Sequence, residues 1–266
     1  MDATATRAWL PTGVGLHYVE QGPPAAEEAV VLVHGWPDSA YSYHRVLAEL
    51  PAEHHAVTMD LRGFGDSDRP DDGYAIDDHA ADVAALVETL GLAGATLVGH
   101  SMGSFVARRV AEQRPDLVRR LVLIGTAISA DNAVLREVAD LVRDLPDPVP
   151  ADFTREFAAG TLHLPVPEVF FDTLVDESRK APARVWRAAL DGLLQVDDAA
   201  ELERIAAHTL VLGGEQDALF TVAEQTAVAA AIPRARLTLY PETGHCPNWE
   251  RPAQVAADIS AFLRET

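Results

Sequence analysis

The sequence predicts an α/β fold in which helices cover both faces of one doubly wound, mostly parallel sheet. Three features of the chain support this prediction. Short apolar runs, typical of strands buried on both faces, recur along its length. Amphipathic stretches with a period of about 3.6 residues separate most of these runs. The alternation stops once, over residues 127–207, where the pattern indicates helices alone.

The predicted strands differ in how their apolar residues are spaced. Gly15–Gly22 alternates polar and apolar residues, which suits a strand in a hairpin. The other candidates are continuous apolar runs: Ala29–Gly35, His55–Gly63, Ala95–Ser101, Arg119–Thr126, His208–Asp217 and Ala235–His245. Such runs favour central strands that pair in parallel.

The predicted helices fall into two groups. Those between the strands are Asp77–Leu90, Met102–Arg114, Val222–Ala231 and Pro252–Arg264. Those within residues 127–207 are separated by prolines: Asn132–Leu145, Asp152–Leu162, Pro167–Ser178 and Ala183–Leu194. We therefore expect one core domain, residues 1–126 and 208–266, with residues 127–207 forming a helical cap over the sheet edge.

The charge of the chain limits its partners. Of its 266 residues, 41 are Asp or Glu and 21 are Lys or Arg, which gives a formal net charge of −20. Phosphate backbones and anionic lipids repel so acidic a protein, so we expect neither nucleic acid nor a membrane as a partner. A small-molecule substrate is the expected partner, and a homodimer is one assembly that the sequence leaves open.

The cysteine content and the N-terminal residues indicate in which cellular compartment we expect the protein. Cys246 is the only cysteine, so the chain can form neither an intrachain disulfide nor a metal cage built from several thiolates. The opening stretch MDATATRAWLPTGVGLHYVEQG lacks an apolar core of signal-peptide length. No apolar run reaches the roughly 18 residues of a membrane span. We therefore expect a cytoplasmic protein.

The segment Gly99-His100-Ser101-Met102-Gly103 matches the pattern G-x-S-x-G between a predicted strand and a predicted helix. The two glycines allow a sharp, strained turn that larger side chains would obstruct. The helix that follows directs its N-terminal amides towards the serine. This context predicts that Ser101 is a nucleophile. We expect the His100 side chain to point away from the attacked side.

A serine hydroxyl needs a base that takes its proton and an acid that orients the base. His245 follows the last predicted strand, and Asp217 ends the strand before it. Both therefore lie at the carboxyl edge of the sheet, together with Ser101. We predict that His245 is the base and Asp217 the orienting acid, with Asp131 as the alternative acid.

Attack on a carbonyl group creates an oxyanion that needs preorganised hydrogen-bond donors. The N–H of Met102 is one candidate, because it begins the helix beside Ser101. The N–H of Trp36, in "HGWP" at the end of a predicted strand, is the other. We expect His34 to brace this loop through hydrogen bonds. This chemistry requires no metal ion and no cofactor, and we expect neither.

Four motifs, "HGWPDS", "DLRGFGDSD", "GHSMGS" and "GHCPNWERP", resemble those of the α/β-hydrolase superfamily, and the resemblance covers nearly the whole chain. It implies a helical cap between the sixth and seventh strands and the catalytic order Ser101, Asp217, His245. The first two motifs also resemble epoxide hydrolases and dehalogenases. Those relatives carry an aspartate where this chain has Ser101, which speaks against both activities.

Apolar side chains are expected to line the space above Ser101. The candidates for contact with substrate are Trp36, Phe153, Phe157, Trp186, Leu219, Phe220 and Trp249. Such a lining favours an apolar acyl or ring-containing substrate. Cys246 lacks a base of its own and is expected in the pocket wall, and "DLRGFGDSD" is expected to serve a structural turn.

These features predict a serine hydrolase that cleaves a small, apolar carboxylic ester or lactone through an acyl-enzyme. A C–C bond hydrolase or a perhydrolase would use the same three residues, and the sequence does not separate these reactions. The alternative from another class is a catalytically silent ligand-binding protein on the same fold.

Overall fold

One sheet organises the protein. The computed structural model describes residues 4–24 and 28–265, and these form eight strands: β1 (Thr4–Trp9), β2 (Gly15–Gln21), β3 (Ala29–Val33), β4 (His55–Met59), β5 (Ala95–His100), β6 (Val118–Ile124), β7 (His208–Gly214) and β8 (Ala235–Tyr240). Their order across the sheet is β1-β2-β4-β3-β5-β6-β7-β8. The pairs β1–β2 and β2–β4 are antiparallel and all other pairs are parallel, which confirms the predicted fold class. Residues 1–3, 25–27 and 266 of the predicted core domain lie outside the described ranges.

The described residues also form ten α-helices. They are α1 (His44–Glu49), α2 (Ile76–Thr89), α3 (Met102–Gln113), α4 (Ala133–Arg143), α5 (Ala151–Gly160), α6 (Glu168–Ser178), α7 (Ala183–Leu194), α8 (Val222–Ala231), α9 (Pro247–Glu250) and α10 (Pro252–Leu263). Helices α4 to α7 all lie between β6 and β7, and we call them the inserted helices. No helix in the described parts of the chain is long and apolar enough to cross a membrane.

The central strand β3 is apolar and buried throughout because helices cover both faces of the sheet. On β3, Val30 and Leu32 belong to one buried cluster, which includes Ile259 of α10. The alternate residues Val31 and Val33 belong to a second cluster, with side chains of α2 and α3. Burying such a side chain fully stabilises the fold by about 1.5–3 kcal/mol. A polar substitution on either face of β3 would therefore be destabilising.

The strands end earlier than the sequence predicted. The predicted strand His208–Asp217 ends at Gly214, and the predicted strand Ala235–His245 ends at Tyr240. The polar residues after each strand turn away from the ladder and form loops. These loops leave the carboxyl edge of the parallel part of the sheet, so Asp217 and His245 are free to approach the loops after β3 and β5.

The "DLRGFGDSD" segment is a structural turn built around the buried Asp60. Its carboxylate accepts hydrogen bonds from the Ala40 N–H at 2.7 Å, the Asp66 N–H at 2.8 Å and Nδ1 of His17 at 2.7 Å. Gly65 has a φ of +49°, and a Cβ there would lie 2.2 Å from the Asp60 carboxyl group. Through the hydrogen bond from Ala40, the motif therefore holds in place the start of the segment that leads to α1.

Arg108 on α3 joins the core to both ends of the insertion. Its guanidinium forms two hydrogen bonds with the Asp198 carboxylate, at 2.9 and 2.6 Å. It also donates to the carbonyl oxygens of Ala127, at 2.6 Å, and Ile128, at 3.0 Å. Arg108 and Asp198 are fully buried. Because α3 begins at Met102, the helix that directly follows the proposed nucleophile also anchors the inserted helices.

Candidate active site

Ser101 occupies a strained turn between β5 and α3. Its φ is +51°, which lies in the left-handed region that residues with a side chain rarely adopt. The flanking glycines make the turn possible. A Cβ on Gly99 would lie 2.1 Å from the Gly103 carbonyl oxygen, and one on Gly103 would lie 2.2 Å from the Val33 carbonyl oxygen. The backbone around Ser101 thus has no room for a larger residue at either position.

Asp217 and His245 form a buried pair. Nδ1 of His245 donates a hydrogen bond to Oδ2 of Asp217 at 2.9 Å. The other carboxylate oxygen accepts from the N–H groups of Leu219, at 2.8 Å, and Phe220, at 2.9 Å. Burial raises the pKa of Asp217, but the charge of His245 and these hydrogen bonds outweigh burial and lower it below the ordinary value. The carboxylate therefore stays charged and fixes the ring of His245.

His245 and Ser101 line the same cavity. Nε2 of His245 is buried and has no hydrogen-bond partner among the described residues. The cavity is small, about 20 Å³, which is room for about one water molecule. The structure thus brings together the three side chains that the sequence proposed, with the second nitrogen of the imidazole available for proton transfer.

The loop of His245 is tied to the inserted helices. The His245 N–H donates to the Thr161 carbonyl oxygen at 2.9 Å. The Glu250 carboxylate accepts from the Gly244 N–H, at 2.9 Å, and also from the N–H groups of His163, at 3.2 Å, and Leu164, at 2.7 Å. The segment that follows α5 and the loop that carries His245 therefore share one set of hydrogen bonds.

The predicted oxyanion donors belong to Met102, which is next to Ser101 in the chain, and to Trp36, which is next to a residue that contacts Ser101. A Cβ on Gly35 would lie 3.0 Å from the Ser101 Cβ, so the loop after β3 packs against the serine. The N–H groups of Trp36 and Met102 have no backbone acceptor among the described residues. His34 braces the loop: its Nδ1 donates to the Gly35 carbonyl oxygen at 2.7 Å, and its Nε2 accepts from the Leu61 N–H at 3.0 Å.

The predicted substrate-contacting residues occupy three kinds of position. Trp36, Phe157, Leu219 and Trp249 line the cavity. Phe153 lines an outer groove that adjoins the cavity. Trp186 and Phe220 do not line the cavity. Trp186 packs behind Trp36 with ring centroids 5.2 Å apart, and Phe220 packs against the His245 ring at 5.4 Å. These two side chains support the wall instead of forming it.

Several other positions differ from the sequence-based expectations or go beyond them. The expectation for His100 was wrong, because its side chain lines the cavity. Asp38 also lines it and was missed, although it directly follows the "HGWP" loop. Cys246 lies in the wall, as predicted. Asp131 binds Arg136 on the surface and does not approach the His245 ring, so the alternative acid is excluded.

One group of described side chains has ligand atoms close enough together for a metal ion: His17, Asp60 and Asp66. The Asp60 oxygens already accept three hydrogen bonds, and Lys180 Nζ lies 2.9 Å from the Asp66 carboxylate. These contacts satisfy the same atoms that a metal would need. The group also lines a pocket that shares no residue with the cavity of Ser101. It plays no part in the site described above.

The sequence places the chain in a known family. A profile of the α/β hydrolase fold family matches residues 28–252, and the chain belongs to this family. Solved structures of the same fold include a malate-bound thermophilic esterase from Thermogutta terrifontis, with 28% sequence identity, a TM-score of 0.83 and 98% of each chain covered.

Curated relatives include proteins with different named activities. The non-heme chloroperoxidase of Streptomyces lividans is 29% identical over 274 residues, which covers 95% of this chain and 97% of that protein. Epoxide hydrolase 4 of Mus musculus is 33% identical over 116 residues, which covers 43% of this chain and only 32% of the mouse protein. The family is therefore established by the profile match over residues 28–252, while the reaction must be argued from the site.

Proposed function

We propose that the protein is a serine hydrolase that cleaves small, apolar carboxylic esters or lactones. One observation carries the proposal: His245 donates to Asp217 through Nδ1 at 2.9 Å, and its Nε2 is unpartnered among the described residues, in the cavity that Ser101 lines. This is the arrangement in which an imidazole takes the proton of a serine hydroxyl.

The reaction follows from these positions. Ser101 Oγ attacks the ester carbonyl carbon while His245 Nε2 takes the hydroxyl proton. The N–H groups of Trp36 and Met102 stabilise the developing oxyanion. His245 then protonates the departing alcohol, which leaves an acyl group on Ser101. Asp217 stays ionised and stabilises the imidazolium form of His245 both while the acyl-enzyme forms and while it is hydrolysed.

An outer groove supports an apolar substrate. It lies between α4 and α5, has a volume of about 380 Å³, and is lined mainly by Val134, Val138, Leu141, Phe153 and Phe157. Val134 and Leu141 are 41% and 63% exposed, which is unusual for large apolar side chains grouped at one site. Phe157, Thr161 and Leu219 line both the groove and the cavity. We propose that the inserted helices act as a cap. The groove then holds the apolar part of the ester, and Phe157 moves aside so that the ester reaches Ser101.

The test compares Ser101→Ala with the wild-type protein on p-nitrophenyl butyrate. We expect the substitution to lower kcat by at least about a thousandfold, and a fluorophosphonate probe to label the wild type once, at Ser101. Ser129→Ala, which changes an exposed serine outside the cavity, is the matched control. Ester turnover that survives Ser101→Ala at the wild-type level would refute the proposal. An absence of both turnover and labelling in the wild type would favour the silent ligand-binding protein.

A perhydrolase reaction is the second candidate, favoured by the 29% identity to the Streptomyces lividans non-heme chloroperoxidase. In that reaction hydrogen peroxide replaces water as the acceptor of the acyl group. Incubation with hydrogen peroxide and a short carboxylic acid would then produce a peracid, detected by oxidation of a chromogenic reporter. The rate should depend on Ser101, so Ser101→Ala provides the background.

A further inference from the structure

Asp38 and His100 are polar residues that line the cavity and have no role in the proposed triad. Both side chains are buried and both line the cavity beside Ser101 and His245. Oδ2 of Asp38 lies 4.0 Å from Nδ1 of His100. This separation is too long for a direct hydrogen bond, yet a single water oxygen can contact both atoms.

The protonation of His100 can be assigned from its contacts. Its Nε2 lies 3.1 Å from the His245 carbonyl oxygen, which can only accept, so Nε2 carries the hydrogen. Burial, together with the charge of His245, lowers the pKa of His100 to about 3. The ring is therefore neutral near pH 7, and Nδ1 is a bare acceptor. This atom is buried without a hydrogen-bond partner in the described part of the chain.

Asp38 is a buried carboxyl group with neither a hydrogen-bond donor nor a positive charge beside it among the described residues. Burial raises its pKa well above the ordinary value, and no hydrogen bond or positive charge offsets that effect. The protonated acid is therefore favoured, and it offers one O–H donor and one carbonyl acceptor. Buried polar groups without partners cost free energy, so a carboxyl group in this wall calls for a polar occupant of the cavity.

His100 Nδ1 lies close to Ser101, because both contact Gly35. His100 Nδ1 and Ser101 Cβ each lie 3.0 Å from the point that a Cβ on Gly35 would occupy. His100 Nδ1 and Ser101 Cβ are therefore separated by no more than twice 3.0 Å. The cavity of about 20 Å³ holds about one water molecule, and such a water usually makes two to four hydrogen bonds to otherwise unsatisfied groups.

We propose that Asp38 and His100 hold the water molecule that hydrolyses the acyl-enzyme. This inference rests on the proposed serine hydrolase function. The water donates one O–H to His100 Nδ1, contacts the Asp38 carboxyl group, and directs its second O–H to His245 Nε2. Its oxygen bonds to the carbonyl carbon of acyl-Ser101 while His245 takes the second proton. The bond from that carbon to Ser101 Oγ then breaks, Oγ recovers the proton from His245, and the carboxylic acid leaves.

The test separates the two half-reactions with p-nitrophenyl butyrate. In Asp38→Leu the burst of p-nitrophenol, which reports acylation, should keep its rate. Steady-state kcat should fall by roughly ten- to a hundredfold because the water is no longer positioned. KM should fall by the same factor, which leaves kcat/KM unchanged, and mass spectrometry should show butyryl-Ser101 accumulating. Asp38→Asn is the matched control, since an amide keeps a carbonyl acceptor and supplies N–H donors, and it should retain most of the wild-type kcat.

A partition experiment gives an independent readout. With methanol present, the ratio of methyl butyrate to butyric acid should rise in Asp38→Leu by the same factor as kcat falls, because methanol does not depend on the water site. If kcat and kcat/KM fall together and this ratio is unchanged, Asp38 has only a structural role and the inference is overturned. If the wild-type protein forms no acyl-Ser101 at all, the proposed function itself has failed.

Discussion

Replacing Arg108 with methionine should destabilise the protein by about 3–5 kcal/mol, because it leaves a buried carboxylate without its partner. Arg108 and Asp198 are each 0% exposed, so water cannot replace the lost contacts. The substitution also removes the donors to the carbonyl oxygens of Ala127 and Ile128. Methionine keeps much of the side-chain volume, so the loss reflects charge and hydrogen bonds more than an empty space.

The expected loss can be measured as a change in Tm. For a chain of this size, 1 kcal/mol corresponds to about 2 °C, so Arg108→Met should lower Tm by about 6–10 °C. The double variant Arg108→Met/Asp198→Leu removes the unpaired charge as well and should recover several degrees. Arg108→Lys keeps the charge but cannot reproduce the paired hydrogen bonds and should fall between the wild type and Arg108→Met.

Differential scanning calorimetry at pH 7 on these four proteins provides the assay. A drop below about 2 °C in Arg108→Met would show that the ion pair contributes little to stability. A double variant no more stable than Arg108→Met would show that the unpaired Asp198 is not the cause of the loss. Either result would refute the reasoning that this pair anchors the ends of the insertion.

The remaining predictions concern the site and its surroundings. Asp217→Asn should lower kcat on p-nitrophenyl butyrate by roughly 10³–10⁴-fold with little change in KM, because the amide no longer fixes the imidazole. Gly103→Ala should abolish activity and lower Tm, since its Cβ would lie 2.2 Å from the Val33 carbonyl oxygen. Leu141→Asp should raise KM for octanoyl esters and leave KM for acetyl esters within about twofold, because only the longer chain reaches the outer groove. The Asp60 hydrogen bond raises the pKa of His17 above 6.5, although burial opposes it, so this contact stabilises the fold below pH 6.5 and is lost as pH rises through the raised pKa. The Tm difference between wild type and His17→Gln should therefore be larger at about pH 5.5 than at about pH 8.5, and an equal difference would contradict this assignment.

The positions of the proposed catalytic residues could be predicted because each residue directly follows a clear sequence pattern. Ser101 follows a continuous apolar strand and precedes a helix, and Asp217 and His245 each follow such a strand. Parallel strands bring their carboxyl ends to one edge, so the convergence of these loops required no knowledge of distant contacts. The ends of β7 and β8 were less predictable, because polar residues can continue a strand or leave it.

The pocket wall was harder to predict because helical periodicity shows only which side of a helix is buried. Trp186 and Phe157 both lie on buried or half-buried faces of inserted helices, yet only Phe157 reaches the cavity. Which of them does so depends on how the helices cross above the sheet. The environment of His100 likewise depends on Asp38 and His245, which lie far from it in the sequence.

The Glu250 carboxylate has a consequence for how the protein opens. Its Oε2 accepts hydrogen bonds both from Gly244, next to the proposed base, and from the start of the segment after α5. Any displacement of that segment away from the sheet must either break these bonds or carry the imidazole with it. For the proposed hydrolase, widening the cavity on this side would therefore cost either these hydrogen bonds or the alignment of His245, so we expect proton transfer only while the bonds to Glu250 are intact.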